Sequence, residues 1–350
     1  MRVAFGLGAI QLAVTLGWMA YAHFQPRILD DIGLSRLDTL LAVYVAAAGT
    51  MLGPLAGGLA DLTVRRAGSR FPVVVAGGFL AAVLFVAVAL AIGPYAPGPL
   101  RDAIPVLIVL WIAAMIVLQA PSLALAGDLS RPELLPAVSS MVLATMLPLA
   151  VWPWLGAALD RAGGTRVFVA GGVVVVTATL LAWRLVPRPA LPAAAASDAG
   201  SQGLPYAGAF ALGVSSAFVV LLAARLVPMT LAVRLRRMDA SPFSSIAFAA
   251  SGILAPPLGR AAATVGRRRA LVASFLLAFA CGLAAQLVSE RIGGMVLMVV
   301  LGVALALNLD CALPVAFGGS GVRTGLTAGL YLGGVMAGTE AALLLVPGAG

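Results

Sequence analysis

Long apolar runs, each close to the length of a membrane-spanning helix, fill most of this sequence. A helix needs about twenty apolar residues to cross a hydrocarbon core of about 30 Å. A membrane β-strand would instead alternate polar and apolar residues over about ten positions. The pattern therefore predicts an all-α membrane protein with about eleven transmembrane helices. The runs lie at roughly 3–22, 38–60, 71–92, 104–126, 136–158, 166–186, 206–228, 243–262, 270–288, 293–315 and 325–347.

The composition excludes a soluble globular fold and argues against nucleic acid as a partner. Of the 350 residues, 62% are hydrophobic and 10% are charged, whereas soluble chains average about 25% charged residues. A soluble protein of this size cannot bury so much apolar surface. The formal net charge of +9 comes from arginines between the apolar runs, where membrane topology and anionic lipid headgroups explain them.

One long segment that is not apolar, PRPALPAAAASDAGSQG, separates six apolar runs from five. Its content of Pro, Ala, Ser and Gly is typical of a linker. We therefore predict an N-terminal six-helix bundle at 1–188, a linker at 189–204 and a C-terminal five-helix bundle at 205–350.

The two halves resemble each other in short stretches. AFGLG at 4–8 matches AFALG at 209–213, and PRIL at 26–29 matches PMTL at 228–231. A weak repeat between two membrane halves is typical of transporters, because a substrate site can form at their interface. On this alignment the second half has no partner for the sixth span, so the predicted architecture lacks a twelfth span.

The distribution of arginines predicts a cytoplasmic N-terminus under the positive-inside rule. The loops at 61–70 and 260–269 carry three and four arginines, and both loops then lie in the cytoplasm. A cluster of Arg234, Arg236 and Arg237 lies on the other side and breaks the rule. We expect a multi-pass protein of the cell membrane, in contact with lipid.

Two related glycine–arginine patterns follow the second and eighth spans. The first, GPLAGGLADLTVRRAGSRFP, lies at 53–72, and the second has Ala263 at its acidic position. Both resemble the G-x-x-x-D-R-x-G-R-R motif of major facilitator superfamily permeases, although four extra residues interrupt the first copy. The matching residues are Gly57, Asp61, Arg66 and Arg70 in the first copy and Gly259, Gly266, Arg267 and Arg268 in the second.

This resemblance implies a fold and a gating latch. The fold would be two helical bundles around a central cavity. Asp61 would face the start of the eleventh span and join a charge cluster with Arg66, Arg70 and Asp128. Making and breaking these pairs would bias the inward-open and outward-open states. The alternative is that the charged residues only set the membrane topology.

Two further segments narrow the resemblance. PWLGAALDRAGGTRVF at 153–168 resembles the junction after the fifth span of these permeases, but it lacks the glycine run of drug antiporters. GPLAGGLAD with RAGSRFP, and PSLALAGDLSRPE at 121–133, look most like the sucrose–proton symporter and related glycoside permeases. This branch implies a sugar as the solute and a proton as the coupling ion.

Ionisable residues inside membrane spans are costly, so each is a functional candidate. Glu340 lies in the last apolar run and could carry a coupling proton. Arg225 in the seventh span could pair with Glu340 or bind an anionic substrate. The alternatives are a Glu340 that lies close to the outer boundary or faces a missing twelfth helix, and an Arg225 side chain that extends to the membrane interface.

A second group of candidates consists of polar or aromatic residues in spans that resemble the cavity-lining spans of these permeases. Amides in membrane spans also join helices to each other, and a tryptophan also anchors at the interface, so these alternatives stay open. The candidates for substrate contact are Gln11, Trp18, Gln119, Asn308 and Asp310.

The sequence contains neither a G-x-x-x-x-G-K-S/T phosphate loop nor an H-E-x-x-H ligand set, so we predict no enzyme, no cofactor and no metal site. We predict a secondary active transporter that moves a small polar solute by alternating access, with a sugar or glycoside favoured and protons as the energy source. Two alternatives stay open. One is an efflux permease for hydrophobic drugs or metabolites, and the other is a non-transporting membrane assembly or pigment-handling protein with the same fold.

Overall fold

The computed structural model describes residues 1–34, 37–129, 131–187, 206–236, 239–318 and 323–345. Every long element in these ranges is a helix, which confirms the predicted all-α fold class. The predicted linker at 189–204 lies outside the described residues, so the division into domains stays a prediction. The helices are α1 (Arg2–Asp31), α2 (Leu37–Ala67), α3 (Phe71–Ala91), α4 (Gly98–Asp102), α5 (Ile104–Gly127), α6 (Arg131–Ala150), α7 (Trp152–Ala162), α8 (Gly164–Leu185), α9 (Tyr206–Leu221), α10 (Val227–Arg234), α11 (Ser241–Val265), α12 (Arg267–Ala284), α13 (Arg291–Phe317) and α14 (Thr324–Leu345).

Nine stretches of helix in the described part of the chain are long and apolar enough to cross a membrane. They are α1, α2, α3, α5, α6, α8, the continuous helix from α9 to α10, α11 and α13. The runs predicted at 270–288 and 325–347 also fold as helices, α12 and α14. Three arginines begin α12, and α14 contains several glycines and Glu340. The count of eleven spans therefore stays a prediction.

Prolines explain two differences between the predicted and observed helix boundaries. The run predicted at 136–158 divides into α6 and α7, because Pro153 has no N–H to continue the helical hydrogen bonds and lies in the first turn of α7. The run predicted to end at residue 228 continues to Arg234 through a π-helical turn at Leu222–Leu226, which ends two residues before Pro228. A π turn shifts the hydrogen bonds by one residue, so the proline does not end this helix.

The helices before and after residues 188–205 form two sets that meet along two seams. In the first set, α1 packs on α6 and α8, and α3 packs on α5 and α8. In the second set, α14 packs on α9, and α13 packs on α11 and α12. The first seam joins α2 to α14, and the second seam joins α6 to α11.

Glycines bring the backbones of α2 and α14 into contact along the first seam. A Cβ added to Gly57 would lie 2.0 Å from the carbonyl oxygen of Gly325, and one added to Gly329 would lie 2.1 Å from that of Gly53. In lipid, helices associate through such close packing, because contact with another helix is no more hydrophobic than contact with lipid tails. The facing pairs are Gly49 with Gly333, Gly53 with Gly329 and Gly57 with Gly325.

Candidate functional site

A cavity of about 250 Å³ lies between the two sets of helices. Its wall comes from α1, α5 and α6 of the first set and from α9, α13 and α14 of the second. Eleven of the sixteen described residues that line it are aliphatic or methionine, and none of the sixteen is charged. The polar residues on its wall are Gln11, Gln119, Thr145, Ser216 and Tyr331.

Gln11 and Gln119, two of the predicted cavity residues, lie on this wall. Gln11 is 5% exposed, and its Nε2 has no hydrogen-bond partner among the described residues. The Oε1 of Gln119 accepts a hydrogen bond from the indole Nε1 of Trp18 at 3.3 Å. Trp18 is not among the described lining residues, and its ring packs edge-on against Trp111 at 5.3 Å between centroids. Trp18 therefore contacts Gln119, and its predicted contact with substrate stays a prediction.

Asn308 and Asp310 are buried in helix contacts and are not on the described cavity wall. The Nδ2 of Asn308 donates to the Oγ of Ser274 on α12 at 3.4 Å. The Oδ1 of Asp310 accepts from the Oγ of Ser139 on α6 at 3.1 Å. Leu309 faces the cavity instead, because neighbouring residues of a helix point about 100° apart. The two polar residues thus form interhelical hydrogen bonds, which the sequence left open as the alternative.

A buried charge cluster closes the first seam at one end. The Oδ1 of Asp61 accepts hydrogen bonds at 2.8 Å from the Nη2 of Arg70 and from the backbone N–H of Gly325. The Oδ2 of Asp61 accepts a third, at 2.9 Å, from the backbone N–H of Leu326. These N–H groups begin α14, where the helix dipole favours an anion. Asp61 therefore faces the start of the last described helix, in the position that the motif resemblance implied.

Arg70 links this contact to α5. Its Nη2 also donates to the Oγ1 of Thr324 at 2.5 Å, and its Nη1 forms an ion pair with Asp128 at the end of α5. Burial raises the pKa of the Asp128 carboxyl, and Arg70 opposes this rise because it stabilises the charged form. We call Asp61, Arg70, Asp128 and Thr324 the latch cluster, and the end of the helices where it lies the latch end.

The second copy of the motif forms a different structure. Gly259 packs against side chains of α6 and α13, and Gly266 has a φ of 103° where α11 ends and α12 begins. Arg267 and Arg268 form the first turn of α12. Ala263, at the acidic position, is exposed, and its methyl group cannot bind a helix N-terminus. The charged contact of the first copy therefore has no equivalent at this position.

Three more predicted residues lie outside the latch cluster and off the described cavity wall. Arg66 is exposed near the end of α2. Arg225 and Glu340 are half-buried, on the π-helical turn and on α14, and they interact electrostatically with each other. The structure thus brings Arg225 and Glu340 together but leaves Arg66 out of the cluster. Their roles in coupling and gating stay predictions.

A second cavity, of about 600 Å³, lies in the second set at the end opposite the latch end. Arg236, Asp239 and Arg291 line it and are exposed. Arg236, one of the arginines that depart from the positive-inside rule, therefore borders this opening. Within the described ranges, no group of three His, Cys, Asp or Glu side chains lies close enough to hold a metal ion.

Comparison with known proteins bears on the fold. The sequence matches no protein-family profile and no curated protein. Among solved structures it is similar to the human organic anion transporter MFSD10 (TETRAN), with a TM-score of 0.60 and 16% identity, over 99% of this chain and 94% of that chain. MFSD10 is a major facilitator superfamily transporter. The chain has a major-facilitator-like fold. At this identity the likeness extends to the fold alone.

Some residues of the cavity wall and of the latch cluster have no signal in the sequence motifs. Thr324 completes the latch cluster, and Ser216 and Tyr331 stand on the cavity wall, yet none of them belongs to a recognisable pattern. The glycines of the first seam do have a signal, because both helices carry Gly-x-x-x-Gly spacing, which is typical of close helix contact in membranes.

Proposed function

We propose that this chain is a secondary active transporter that moves a small solute across the membrane by alternating access. The observation that carries the proposal is the cavity between the two sets of helices, together with a charge cluster that joins the sets at one end. A solute bound there contacts both sets, so movement of one set against the other could expose it to either side of the membrane.

In this proposal the latch cluster is a gate. Separation of α2 from α14 would take Asp61 away from the N–H groups that begin α14 and Arg70 away from Thr324. A hydrogen bond to a charged group contributes about 1.5–3 kcal/mol. The cluster therefore favours the state in which the latch end is shut, and a solute shifts this equilibrium only if it binds the open state more tightly.

The solute and the energy source are finer parts of the proposal. The resemblance to glycoside permeases favours a sugar and a proton gradient, with Glu340 and Arg225 as the coupling pair. The apolar wall of the cavity favours a second candidate, an efflux permease for hydrophobic metabolites. A non-transporting protein with this fold would have the same cavity but no flux.

We further propose that the protein lies in the cell membrane with its latch end in the cytoplasm. The arginine-rich segments 61–70, where α2 ends, and 260–269, where α11 meets α12, both lie at the latch end. The cytoplasmic ends of membrane spans carry an excess of arginine. With this orientation the N-terminus is cytoplasmic, and lipid headgroups contact the exposed arginines. The proposal includes no enzymatic step.

Flux measurements in proteoliposomes that contain the full chain test this proposal. The panel is a labelled monosaccharide, a labelled disaccharide and a labelled apolar ketone, each with and without an inward proton gradient, against protein-free liposomes. Gradient-dependent uptake of a sugar would support the first candidate, and gradient-driven exclusion of the ketone would support the second. Equal permeation into both kinds of liposome for every compound would contradict transport of these classes.

A further inference from the structure

The wall of the cavity between the two sets restricts the chemistry of what it can bind. Eleven of its sixteen described residues are aliphatic or methionine, and none is charged. A charged solute would be buried there without a partner, which is costly in an apolar interior. A sugar would bring several hydroxyl groups to a wall with few polar partners, and each unpaired hydroxyl weakens binding.

The three hydroxyl groups on the wall differ in how far protein atoms already engage them. The Oγ1 of Thr145 donates to the backbone oxygen of Met141 at 2.9 Å. The hydroxyls of Ser216 and Tyr331 lie close to each other, but the Oγ of Ser216 has no hydrogen-bond partner among the described residues. Thr145 therefore has less capacity to hold a solute than the two glutamines, whereas Ser216 is a further polar group on the wall that could contact the solute.

The two glutamine side chains supply hydrogen-bond donors. An indole N–H can only donate, so the bond from Trp18 turns the Oε1 of Gln119 toward Trp18 and leaves the NH₂ group on the other side. The Nε2 of Gln11 has no partner among the described residues, although Gln11 is only 5% exposed. A buried donor without a partner is costly, and an acceptor on a solute would satisfy it.

We infer that this cavity binds an uncharged, largely apolar solute with a hydrogen-bond acceptor, such as a carbonyl oxygen, that Gln11 and Gln119 contact. The inference rests on the proposed transport function and narrows its substrate class. Such a solute differs from a sugar and from the organic anions named for MFSD10. Arg225, which the sequence suggested as a binding residue for an anionic substrate, is not on the described cavity wall.

Binding to the full chain in detergent tests the inference without any need for flux. The probes share one skeleton: camphor is a compact apolar ketone, bornane lacks the carbonyl group, and camphorsulfonate adds a charge. Sucrose is the fourth probe. Equilibrium dialysis against protein in micelles and against empty micelles removes the contribution of partition into detergent. We expect camphor to bind more tightly than the other three compounds.

Two variants test whether Gln11 is responsible for the binding of camphor. Gln11→Leu removes the unpaired donor, so camphor should bind about tenfold more weakly, whereas bornane should bind at least as tightly as before. Thr179→Val is the control, because Thr179 is buried on α8, bonds to the backbone of its own helix and is not on the described cavity wall. This variant should leave all four affinities unchanged.

Three results would overturn the inference. They are equal camphor affinity in the wild type and in Gln11→Leu, tighter binding of sucrose or camphorsulfonate than of camphor, and no camphor binding at all. The flux panel separates this inference from the proposed function. Camphor binding that depends on Gln11, without flux of any solute, would support the inference and contradict transport. Gradient-driven flux of a sugar without camphor binding would do the reverse.

Discussion

The two seams between the sets of helices are packed in different ways. On the first seam, the backbones of α2 and α14 touch, and a Cβ on Gly329 would lie 2.1 Å from the carbonyl oxygen of Gly53. On the second seam, side chains fill the space between α6 and α11. A Cβ on Gly252 would lie 3.4 Å from the Cβ of Met146, which is an ordinary packing distance. At Gly329 the first seam has no room for a side chain, whereas at Gly252 the second seam does.

The seams also differ at the latch end. The first seam ends in the buried pair of Asp61 and Arg70 on the N-terminus of α14. At the second seam, Ser139 on α6 donates to Asp310 on α13, at 3.1 Å, and approaches the backbone oxygen of Ala255 on α11 at 3.5 Å. A charged contact holds the first seam at this end, and the hydroxyl of Ser139 supplies the polar contact of the second.

From this difference in packing we predict that the two seams respond differently when the two sets of helices move. Contact between backbones permits one register of the helices, because any shift brings carbonyl oxygens against Cα atoms. Contact between flexible side chains tolerates a shift, because methionine and leucine can change rotamer. We therefore expect the first seam to determine whether the latch end is shut, and the second seam to adjust as the sets move.

The largest effect is expected for Asp61→Asn. The neutral amide cannot replace the carboxylate that binds Arg70 and the N–H groups of α14, and loss of one partner from a buried ion pair costs about 3 kcal/mol or more. Solute flux should fall more than tenfold in proteoliposomes, while solute binding in detergent should change less than twofold, because the cavity is intact.

Arg66→Gln is the matched control for this prediction, because Arg66 belongs to the same motif but is exposed. We expect flux within twofold of the wild type. Wild-type flux in Asp61→Asn would remove the gating role from the latch cluster. Equal loss in both variants would show that the motif acts through its total charge and not through the buried contact.

The next effect compares one added methyl group on each seam. Gly329→Ala presses a Cβ against the backbone of Gly53, so α2 and α14 must separate, at a cost of about 1–3 kcal/mol. Gly252→Ala adds the same group where the neighbouring atoms lie 3.4 Å away or more. We expect a Tm lower by about 2 °C or more for Gly329→Ala only, measured by thermal unfolding in detergent. Equal shifts of the Tm in the two variants would contradict the proposed difference in packing between the seams.

A smaller effect is expected at the second seam for Ser139→Ala. The change removes the hydroxyl that donates to Asp310 across the two sets, at a cost of about 1–2 kcal/mol. Ser140→Ala is the control, because Ser140 bonds to the backbone oxygen of Ala4 within the first set. Both variants should lose stability in thermal unfolding, but only Ser139→Ala should change the flux. Unchanged flux in Ser139→Ala would show that its hydrogen bond does not respond to movement of the sets.

Helices could be predicted from this sequence because the length of an apolar run is a property of the chain itself. The contact of Asp61 with the start of α14 could be expected, because Asp61 stands at the acidic position of the motif. The faces of α13 could not be predicted, because a shift of one residue turns a side chain by about 100°, and span boundaries read from hydropathy are uncertain by more than that. The sequence therefore could not show that Leu309 lines the cavity while Asn308 and Asp310 do not.

The sequence also could not predict which residues distant in the chain contact each other. Arg70 meets Thr324 254 residues further along, and Thr324 is an ordinary helix-starting residue with no motif around it. The division of α6 from α7 was foreseeable in principle, because Pro153 stands in the middle of the apolar run. The mean hydropathy of a run changes little at a proline, although the proline interrupts the helical hydrogen bonds. A run read from hydropathy alone therefore continues across it.

The smallest effect concerns an ion pair that crosses neither seam. Asp160 on α7 pairs with Arg27 and with His23, at 2.7 Å to the latter, and all three lie in the first set. Hydrogen bonds from these partners lower the pKa of the Asp160 carboxyl below its ordinary value of 3.8. The folded state therefore binds this proton less tightly than the unfolded state does. The stability that the carboxylate contributes is present above about pH 4 and is lost as the pH falls through the lowered value.

Asp160→Asn should accordingly flatten the acid side of the Tm profile between about pH 5 and pH 3, with a small shift because Asp160 is exposed and solvent screens the pair. Flux at neutral pH should stay at the wild-type level, because the two sets can move without breaking a contact inside one of them. A flux loss as large as that of Asp61→Asn would mean that charge pairs within a set also gate transport. The first seam would then have no special part in closing the latch end.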